Sequence, residues 1–191
     1  YLPGLLRGLA RAGGGGNVTV PHKAVAAASV DVATEAVRHT QACNTFWLED
    51  GRVHGDNTDV AGFRKALRAL VGDPAGARVL LLGAGGAARA AAYALLGEGV
   101  DTVDIANRTP ERARGLIAAL DDDPRLRALP SGAPETAARY DVVVNATSLG
   151  LRPDDPLPLD LTRLGGAGAA LDIVYAPGTT PWVQHATALG V

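Results

Sequence analysis

The spacing of apolar residues divides this chain into two parts. In the first part, up to about residue 71, short helical and strand-like stretches alternate without a regular order. Asp50 and Gly51 join two of the strands, because this pair readily takes the positive φ angles of a tight hairpin turn. The predicted elements are a helix carrying Leu5, Leu6 and Leu9, a strand at 17–20, an alanine-rich helix after Pro21, hairpin strands at 42–48 and 52–55, and a helix that starts at 57–59, is capped by Thr58 or its neighbours, and carries Phe63, Leu67 and Leu70 on one face.

In the second part, strands alternate with helices, an order typical of a parallel sheet with helical crossovers. The stretch VGDPAG at 71–76 interrupts both patterns. It predicts a boundary between a first domain at 1–71 and a second at 72–180, with 181–191 starting a helix that returns towards the first domain. The predicted strands are 78–82, 102–106, 141–145 and 169–174, and the predicted helices are 87–96, 110–120 and 181–189.

Composition narrows the class of protein. The 191 residues are 47% hydrophobic, enough for a proper core. Sixteen arginines and two lysines against twenty acids give a net charge of -2, so no basic face for nucleic acid or an anionic membrane is expected. The chain has no apolar run of about 20 residues and no secretory signal at its start, so we expect a cytoplasmic protein, monomeric or homodimeric.

Two further features of composition carry expectations. Cys43 is the single cysteine, which excludes an intrachain disulfide, and no Cys or His lies near it at the spacing of metal ligands. We therefore expect Cys43 to be a small buried apolar residue, and we expect no metal. The absence of methionine and the abrupt ending at Val191 lead us to expect a chain that lacks both ends of the full-length protein.

The sequence RVLLLGAGGAARA at 78–90 carries the most specific single motif. Gly83, Gly85 and Ala88 fit the pattern G-x-G-x-x-[G/A] where a buried strand turns into a helix. Gly83 permits the tight turn, Gly85 allows the backbone to approach a pyrophosphate, and Ala88 allows close packing of helix and strand. The free amides and dipole of the helix attract phosphates. The predicted cofactor-binding residues here are Gly83, Ala84, Gly85, Gly86 and Ala87.

The end of the next predicted strand indicates which dinucleotide binds. An NAD enzyme places an acid there for the ribose hydroxyls, whereas this chain reads NRTPER from position 107. Arg108 and Arg112 would attract a 2'-phosphate, and Asn107 and Thr109 can bond its oxygens. Asp104 does not serve as that acid, because it lies inside the strand. The sequence therefore favours NADP over NAD.

Lys23 is one of only two lysines in a chain that otherwise uses arginine. An arginine is never deprotonated, whereas a lysine can lose its proton when its surroundings lower its pKa. A lysine kept at this position is therefore a candidate for proton transfer. On its own, however, Lys23 is better explained as a solvated side chain after a turn.

Seven blocks of sequence resemble the motifs of the shikimate dehydrogenase family. They occur in order over nearly the whole chain: NVTVPHK (17–23), ACNT (42–45), GDNTDVAGF (55–63), GAGGAARA (83–90), NRT (107–109), NATSLG (145–150) and DIVYAPGTTP (172–181). The resemblance implies an α/β fold with a Rossmann-like NADP-binding domain, an incomplete α/β substrate domain and a cleft between them. It also implies NADP-linked interconversion of 3-dehydroshikimate and shikimate in aromatic amino-acid biosynthesis.

The resemblance also assigns roles to individual residues. Lys23 and Asp59 match the family's catalytic pair, with Lys23 as general acid/base and Asp59 orienting it and a substrate hydroxyl. His22 is not expected to be catalytic. The other implied site residues are Thr19, Asn44 and Tyr175 for the substrate, together with Lys23 and Asp59, and Thr147 and Ser148 in the cofactor cleft near the nicotinamide.

Alternatives stay open at the level of sequence. A relative acting on quinate or an aminoshikimate would keep Lys23 and Asp59 and change the contacts around one ring substituent. A non-catalytic NADP-binding module or an inactive fragment is a third reading. We expect the family's serine segment, which binds the substrate carboxylate, and its late glutamine to lie outside residues 1–191, so that the substrate site is incomplete.

Overall fold

Two separate β-sheets form the framework of the protein. The computed structural model describes residues 1–130, 136–152, 154–175 and 178–191. The first part of the chain contains α1 (Leu2–Arg11), β1 (Gly15–Asn17), α2 (Lys23–Ala27), β2 (Val32–Ala33), α3 (Glu35–Thr40), β3 (Thr45–Glu49), β4 (Arg52–Asp56) and α4 (Asp59–Val71). The second contains β5 (Arg78–Leu82), α5 (Gly86–Gly97), β6 (Thr102–Ala106), α6 (Pro110–Ala119), β7 (Leu126–Ala128), β8 (Thr136–Asn145), a 3-10 turn (Leu161–Arg163), β9 (Leu164–Asp172) and α7 (Pro181–Ala188).

The first sheet is mixed, with the strand order β1-β3-β4-β2. The predicted hairpin is present, and Asp50 (φ 49°) and Gly51 (φ 73°) form its turn. The strand predicted at 17–20 is wrong, because β1 covers Gly15–Asn17 and ends where that prediction begins. Gly15 belongs to the strand because it passes close to β3, where a Cβ on Gly15 would lie 2.7 Å from the carbonyl oxygen of Phe46.

Helix α4 buries a different set of residues from the predicted one. Phe63 and Leu67 are buried as expected, but Leu70 is 48% exposed, and Val60 takes its place in the core. The start of the helix agrees with the prediction, which allowed a neighbour of Thr58 to bond the free amides. The side chain of Asn57 accepts a hydrogen bond from the amide of Asp59 at 3.2 Å, and this fixes the first residue of the helix.

The second sheet is parallel throughout, with the order β7-β6-β5-β8-β9. This is the doubly wound arrangement of a Rossmann-like fold, as predicted. The predictions for β5 and β6 match their bounds, whereas β8 and β9 begin earlier than expected, and β9 ends at Asp172. The short elements β2, α3 and β7 were not predicted.

The hydrophobic clusters show how these elements pack. Val60, Phe63 and Leu67 of α4 belong to one buried cluster with α5 and the second sheet, while α1 packs with the first sheet in a separate cluster. The predicted boundary at 71/72 thus follows a helix that packs against the second part. Helix α7 also packs on the second sheet, where Trp182 is 2% exposed and donates a hydrogen bond to the carbonyl of Leu159 at 2.9 Å.

The single cysteine lies in the core. Cys43 is fully buried, as predicted, and burial raises the pKa of its thiol. Among the described residues, no helix has the length and apolar character needed to cross a membrane. The described part of the chain also contains no group of three or more His, Cys, Asp or Glu residues arranged to hold a metal ion.

Candidate active site

Lys23 and Asp59 form a close ion pair, although 36 positions separate them in the chain. Nζ of Lys23 donates a hydrogen bond to Oδ2 of Asp59 at 2.6 Å. Each is the first residue of its helix, α2 or α4, so the packing of the two helix starts brings the side chains together. The Lys23 side chain is 13% exposed and the Asp59 side chain 33%. The pair is therefore partly shielded but accessible to a small molecule.

Asn44 holds the second oxygen of Asp59. Its Nδ2 donates to Oδ1 of Asp59 at 2.8 Å. Its Oδ1 accepts three hydrogen bonds, from the hydroxyl of Thr45 at 3.0 Å and from the amide and hydroxyl of Thr58 at 2.9 and 3.1 Å. Asn44 is only 8% exposed. The carboxylate of Asp59 is thus oriented from both sides, by Lys23 and by Asn44.

The structure does not bring the other predicted substrate residues into this network. The side chains of Thr19 and Tyr175 make no hydrogen bond to any residue that the structure describes, and Tyr175 is 94% exposed. Ala176 and Pro177 of the same motif lie outside the described residues. His22 is exposed and precedes α2, apart from the Lys23 and Asp59 pair. The roles of Thr19 and Tyr175 stay predictions.

The ion pair lies beside the predicted dinucleotide turn. A Cβ placed on Gly86, the first residue of α5, would lie 3.5 Å from Cδ of Lys23 and 3.8 Å from Cβ of Ala42. Arg89, one turn further along α5, donates a hydrogen bond to Oε1 of Gln41 at 2.9 Å. The start of α5 is therefore the point at which the two parts of the protein meet around Lys23.

The glycines of the turn fit the roles predicted for them. Gly83 has φ +110°, and a Cβ there would lie 2.7 Å from the carbonyl oxygen of Ala146, so only glycine fits. A Cβ on Gly85 would meet nothing within 4 Å, which leaves space for a ligand against the backbone. Among the residues that the structure describes, no side chain caps α5, which leaves its first amides available for an anion. Ala88 is fully buried, as close packing of helix and strand requires.

The sheet order places this turn in a crevice. Strands β6 and β7 lie on one side of β5 in the sheet, and β8 and β9 lie on its other side. The strand order therefore reverses between β5 and β8, where the connections that follow these two strands run in opposite directions. Ligands of open parallel sheets bind at such a point, outside the carboxyl ends of the strands. Gly83 follows β5 there, and Thr147 follows β8. The predicted residues Ala84, Gly86 and Ala87 lie on the same rim.

The residues predicted to bind the 2'-phosphate lie after β6. Arg108 and Arg112 are exposed, and neither guanidinium group makes an ion pair or hydrogen bond with the described residues. Asn107 donates from Nδ2 to the carbonyl of Thr109 at 2.8 Å, which shapes the loop before α6. Among the described residues, the two guanidinium groups thus have no partner, which leaves them available for an anion.

Asp104 lies within β6, as expected, and is used elsewhere. It is 3% exposed and accepts hydrogen bonds from Nη2 of Arg78 and the hydroxyl of Tyr140, each at 2.9 Å. Burial and the bond to Asp104 raise the pKa of Tyr140 to about 12. Asp104 is therefore a structural acid inside the fold and does not face a ribose.

Sequence reasoning missed Asn145, the residue that shapes the loop of Thr147 and Ser148. Asn145 is fully buried and accepts hydrogen bonds from the amide and the hydroxyl of Thr147 at 3.1 and 2.7 Å. Ser148 is exposed. The signal was present in the sequence, since a polar residue at the inner end of an apolar strand needs several hydrogen-bond partners.

Fold and site together define a Rossmann-type protein in which a lysine and aspartate pair lies against a dinucleotide-binding turn. The chain belongs to the shikimate dehydrogenase family. The family model described as "Shikimate / quinate 5-dehydrogenase" matches residues 65–150. The "Shikimate dehydrogenase (NADP(+))" of Rubrobacter xylanophilus is 45% identical, over 97% of this chain and 67% of that protein.

Two further shikimate dehydrogenases are also similar to this chain. The "Shikimate dehydrogenase (NADP(+))" of Azorhizobium caulinodans is 43% identical, over 93% of this chain and 63% of that protein. The crystal structure of shikimate 5-dehydrogenase from Thermus thermophilus, in complex with NADP(H) and shikimate, superposes with a TM-score of 0.83 at 40% identity, covering 100% of this chain and 69% of that one. The chain thus spans about two thirds of the length of the relatives it matches.

Proposed function

We propose that the protein is an NADP-dependent shikimate dehydrogenase that reversibly reduces 3-dehydroshikimate to shikimate. The observation that carries this proposal is the ion pair of Lys23 and Asp59, whose lysine stem lies against Gly86 at the start of α5. Reducing a ketone requires a hydride at carbon and a proton at oxygen. The site has a proton donor, Lys23, beside the crevice where a dinucleotide would bind.

The residues of the second part fit the expected cofactor. The open space at Gly85 and the uncapped amides of α5 would hold the pyrophosphate. Arg108 and Arg112, with Asn107 and Thr109, would hold the 2'-phosphate, and Thr147 and Ser148 would line the site near the nicotinamide. When bound, NADPH supplies the hydride. The guanidinium groups after β6, which have no partner among the described residues, support NADP over NAD.

In this proposal Lys23 moves the proton. Its ammonium donates a proton to the ketone oxygen during reduction, and its amine takes the proton back from the hydroxyl during oxidation. Asp59, fixed by Asn44, orients the Lys23 ammonium and accepts a hydrogen bond from a neighbouring substrate hydroxyl. Thr19, Asn44 and Tyr175 supply further contacts to the substrate, because each oxygen of a polyhydroxylated ring needs a partner when it is buried.

We also propose the organisation in which this chemistry takes place. Residues 1–71 carry the substrate side, residues 72–180 bind NADP, and residues 181–191 start a helix that returns towards the substrate side. The site lies in the cleft between the two parts. The protein acts in the cytoplasm as a monomer or homodimer, in the pathway to aromatic amino acids. Its net charge of -2, with interspersed signs, argues against a nucleic-acid or membrane partner.

The family model that matches this chain also names quinate, so quinate is the alternative substrate. An aminoshikimate is a further variant of the same reading. Either would use the pair of Lys23 and Asp59 and differ in the contacts around one ring substituent. A relative that binds NADP without catalysis is the remaining alternative, and it predicts nucleotide binding without turnover.

One assay tests the proposal against these alternatives. The full-length protein is incubated with shikimate or quinate and with NADP or NAD, and formation of the reduced cofactor is followed by absorbance. We expect rapid turnover with shikimate and NADP and much slower turnover in the other three combinations. Faster turnover with quinate would favour the alternative substrate, and no turnover with either acid would reject the enzyme.

A further inference from the structure

Asn145 is the most completely bonded buried side chain near the crevice. It is the last residue of β8 and pairs in register with Leu82 of β5 and Asp172 of β9. Its Nδ2 donates to the carbonyl of Leu149 at 3.1 Å and to Oδ1 of Asp172 at 2.9 Å, and its Oδ1 accepts twice from Thr147. These four bonds use the two donors and both lone pairs of the amide.

The loop after β8 is folded around this amide. The hydroxyl of Thr147, which donates to Asn145, accepts a hydrogen bond from the amide of Leu149 at 3.0 Å. The carbonyl of Leu149 returns to Asn145. Residues 147–149 thus form a closed turn whose centre is one buried side chain, and exposed Ser148 lies at its outer edge.

Asp172 extends the same network to the next strand and helix. It is the last residue of β9, and its Oδ1 accepts from Asn145 and from the amide of Val174 at 3.0 Å. Its Oδ2 accepts from the hydroxyl of Thr180 at 2.7 Å. Thr180, 5% exposed, caps α7 by accepting from the amide of Val183 at 3.3 Å. One pair of side chains therefore fixes the ends of two strands and the start of a helix.

This network lies directly beside the dinucleotide turn. Ala146, between Asn145 and Thr147, is the residue whose carbonyl would lie 2.7 Å from a Cβ on Gly83. The loop therefore begins in contact with the turn that follows β5, on the side of the crevice away from Arg108. A shift of Asn145 would move Thr147 and Ser148 without moving the phosphate-binding amides of α5.

We propose that Asn145 and Asp172 are positioning residues that fix the loop 146–149 against the nicotinamide end of the cofactor. The proposal rests on the proposed function. The two residues touch neither substrate nor cofactor, and they act through Thr147 and Ser148. Because the phosphates are held elsewhere, the loss of either side chain lowers the rate of hydride transfer and leaves the affinity for the adenosine end of NADP nearly unchanged.

Three variants of the full-length protein separate positioning from general stability. Asn145→Asp keeps the shape of the side chain but replaces its NH2 group with a carboxylate oxygen. The hydrogen bonds that Asn145 donates to Asp172 and to the carbonyl of Leu149 are therefore lost. Asp172→Ala leaves the side chains of Asn145 and Thr180 without their acceptor. Asp172→Asn is the conservative variant, because its oxygen can still accept from Asn145 and its NH2 group can donate to the hydroxyl of Thr180.

A matched control lies a few residues further along the same loop. Asp155 accepts hydrogen bonds from the amides of Gly150 and Arg152, both at 3.0 Å, and has no bond to the Asn145 network. Asp155→Ala therefore loosens the loop beyond Leu149 without touching the turn at 147–149. We expect it to lower the unfolding temperature and to leave kcat within about twofold of the parent.

Three measurements are made on each variant that retains a cooperative unfolding transition. They are kcat with shikimate and NADP, the Kd of 2',5'-ADP by calorimetry, and the fluorescence of the nicotinamide in bound NADPH. We expect Asn145→Asp and Asp172→Ala to lose about tenfold or more in kcat, to keep the Kd of 2',5'-ADP within about threefold, and to change the nicotinamide fluorescence. Asp172→Asn is expected to recover most of the lost kcat.

Two results would overturn the inference. The first is an unchanged kcat and nicotinamide fluorescence in both disruptive variants. The second is a loss of 2',5'-ADP affinity as large as the loss in kcat, which would indicate general damage to the nucleotide site. A parent protein with no turnover would reject the proposed function instead, and the fluorescence and 2',5'-ADP measurements would still decide the positioning role.

Discussion

Arg64 of α4 donates a hydrogen bond from Nε to Oε1 of Glu98 at the end of α5, at 2.7 Å. Nε of Arg68 lies 2.5 Å from the other carboxylate oxygen. The side chain of Glu98 is only 1% exposed, whereas the two arginines are 46% and 58% exposed. This buried carboxylate therefore joins the last helix of the first part to the first helix of the second, at the end of α5 opposite Lys23.

The ion pairs of Glu98 with Arg64 and Arg68 predict how the free energy of unfolding depends on pH. The hydrogen bond from Arg64, and with it the charge of Arg68, lowers the pKa of Glu98, against the opposing effect of burial. A carboxyl with a lower pKa in the folded state stabilises the protein above its unfolded pKa, about 4.3, and this stability is lost as pH falls through the folded pKa.

We therefore expect Glu98→Gln to lower the free energy of unfolding by about 1–3 kcal/mol near neutral pH and by less in acid. Urea unfolding at several pH values between about 3 and 7 measures this. Glu111→Gln is the control, because Glu111 pairs with Arg114 at the surface, where the exposed fractions are 70% and 66%. A constant difference between Glu98→Gln and the parent at all pH values would contradict the prediction.

The second prediction concerns the two lysines. Lys23→Ala removes the proposed proton donor, and we expect kcat to fall by about 10²–10⁴-fold while the affinity for NADP changes little. Lys65→Ala is the matched control, since Lys65 is the other lysine and is exposed on α4. Steady-state kinetics with shikimate and NADP compare them. Equal activity of the Lys23 and Lys65 variants would remove Lys23 from the mechanism.

Asp59→Asn tests the partner of Lys23 separately. The amide keeps the size of the carboxylate but removes the charge that faces Nζ, and it leaves one oxygen to accept from Asn44 or Lys23. We expect kcat to fall by about tenfold or more, with a rise in the KM for shikimate because the substrate hydroxyl loses its acceptor. An unchanged KM together with an unchanged kcat would limit Asp59 to a structural role.

The fourth prediction concerns cofactor choice. Arg108→Ala and Arg112→Ala would each remove one of the proposed charge-assisted contacts to the 2'-phosphate, worth roughly 1.5–3 kcal/mol, so the KM for NADP should rise by about 10–100-fold while the KM for NAD hardly changes. Arg114→Ala is the control, because Arg114 lies two residues after Arg112 in α6 and already donates a hydrogen bond to Glu111. If both cofactors were affected equally, these arginines would have no role in the choice between them.

The last prediction uses two glycines of the same turn. Gly83→Ala should lower the free energy of unfolding by about 1–3 kcal/mol, because its φ of +110° and the nearby Ala146 carbonyl leave no room for a methyl group. Gly85→Ala has space and an ordinary φ of -86°, so the fold should tolerate it while nucleotide affinity falls. Calorimetric unfolding and NADP titration measure both. Normal NADP affinity in Gly85→Ala would place the pyrophosphate elsewhere.

The parts of the fold that sequence predicts well are those with a local signal. Strands β5 and β6 are buried apolar runs in a parallel sheet, and their ends could be located because glycine and polar residues follow directly. Helix α3 was missed because it is only six residues long and lacks an apolar stripe. The strand at 17–20 was misplaced because the alternation of residues says nothing about which backbone approaches β3.

The site was predictable only in its residue types. The glycine turn and the pair of Lys23 and Asp59 could be named from motifs, but the contact of Lys23 with Gly86 depends on the packing of distant helices. The spacing of Leu70 predicts a core residue, yet α4 buries Val60 in the cluster that it shares with α5 and leaves Leu70 exposed. Glu98 has no local signature, since its role depends on Arg64 and Arg68 of another helix.

The side-chain oxygen of Asn44, Oδ1, already accepts three hydrogen bonds, and this restricts the hydrogen bonds that a substrate can form with Asn44. Three protein donors already point at Oδ1, so Asn44 can offer only its second N–H to a ligand and cannot accept a hydrogen bond from one. A ring hydroxyl that binds here has to accept from Asn44 and direct its own hydrogen to another group, such as Asp59. The direction of the hydrogen bond at this position is thus fixed before a substrate binds. A substrate analogue whose group at this position can only donate hydrogen bonds would therefore bind more weakly.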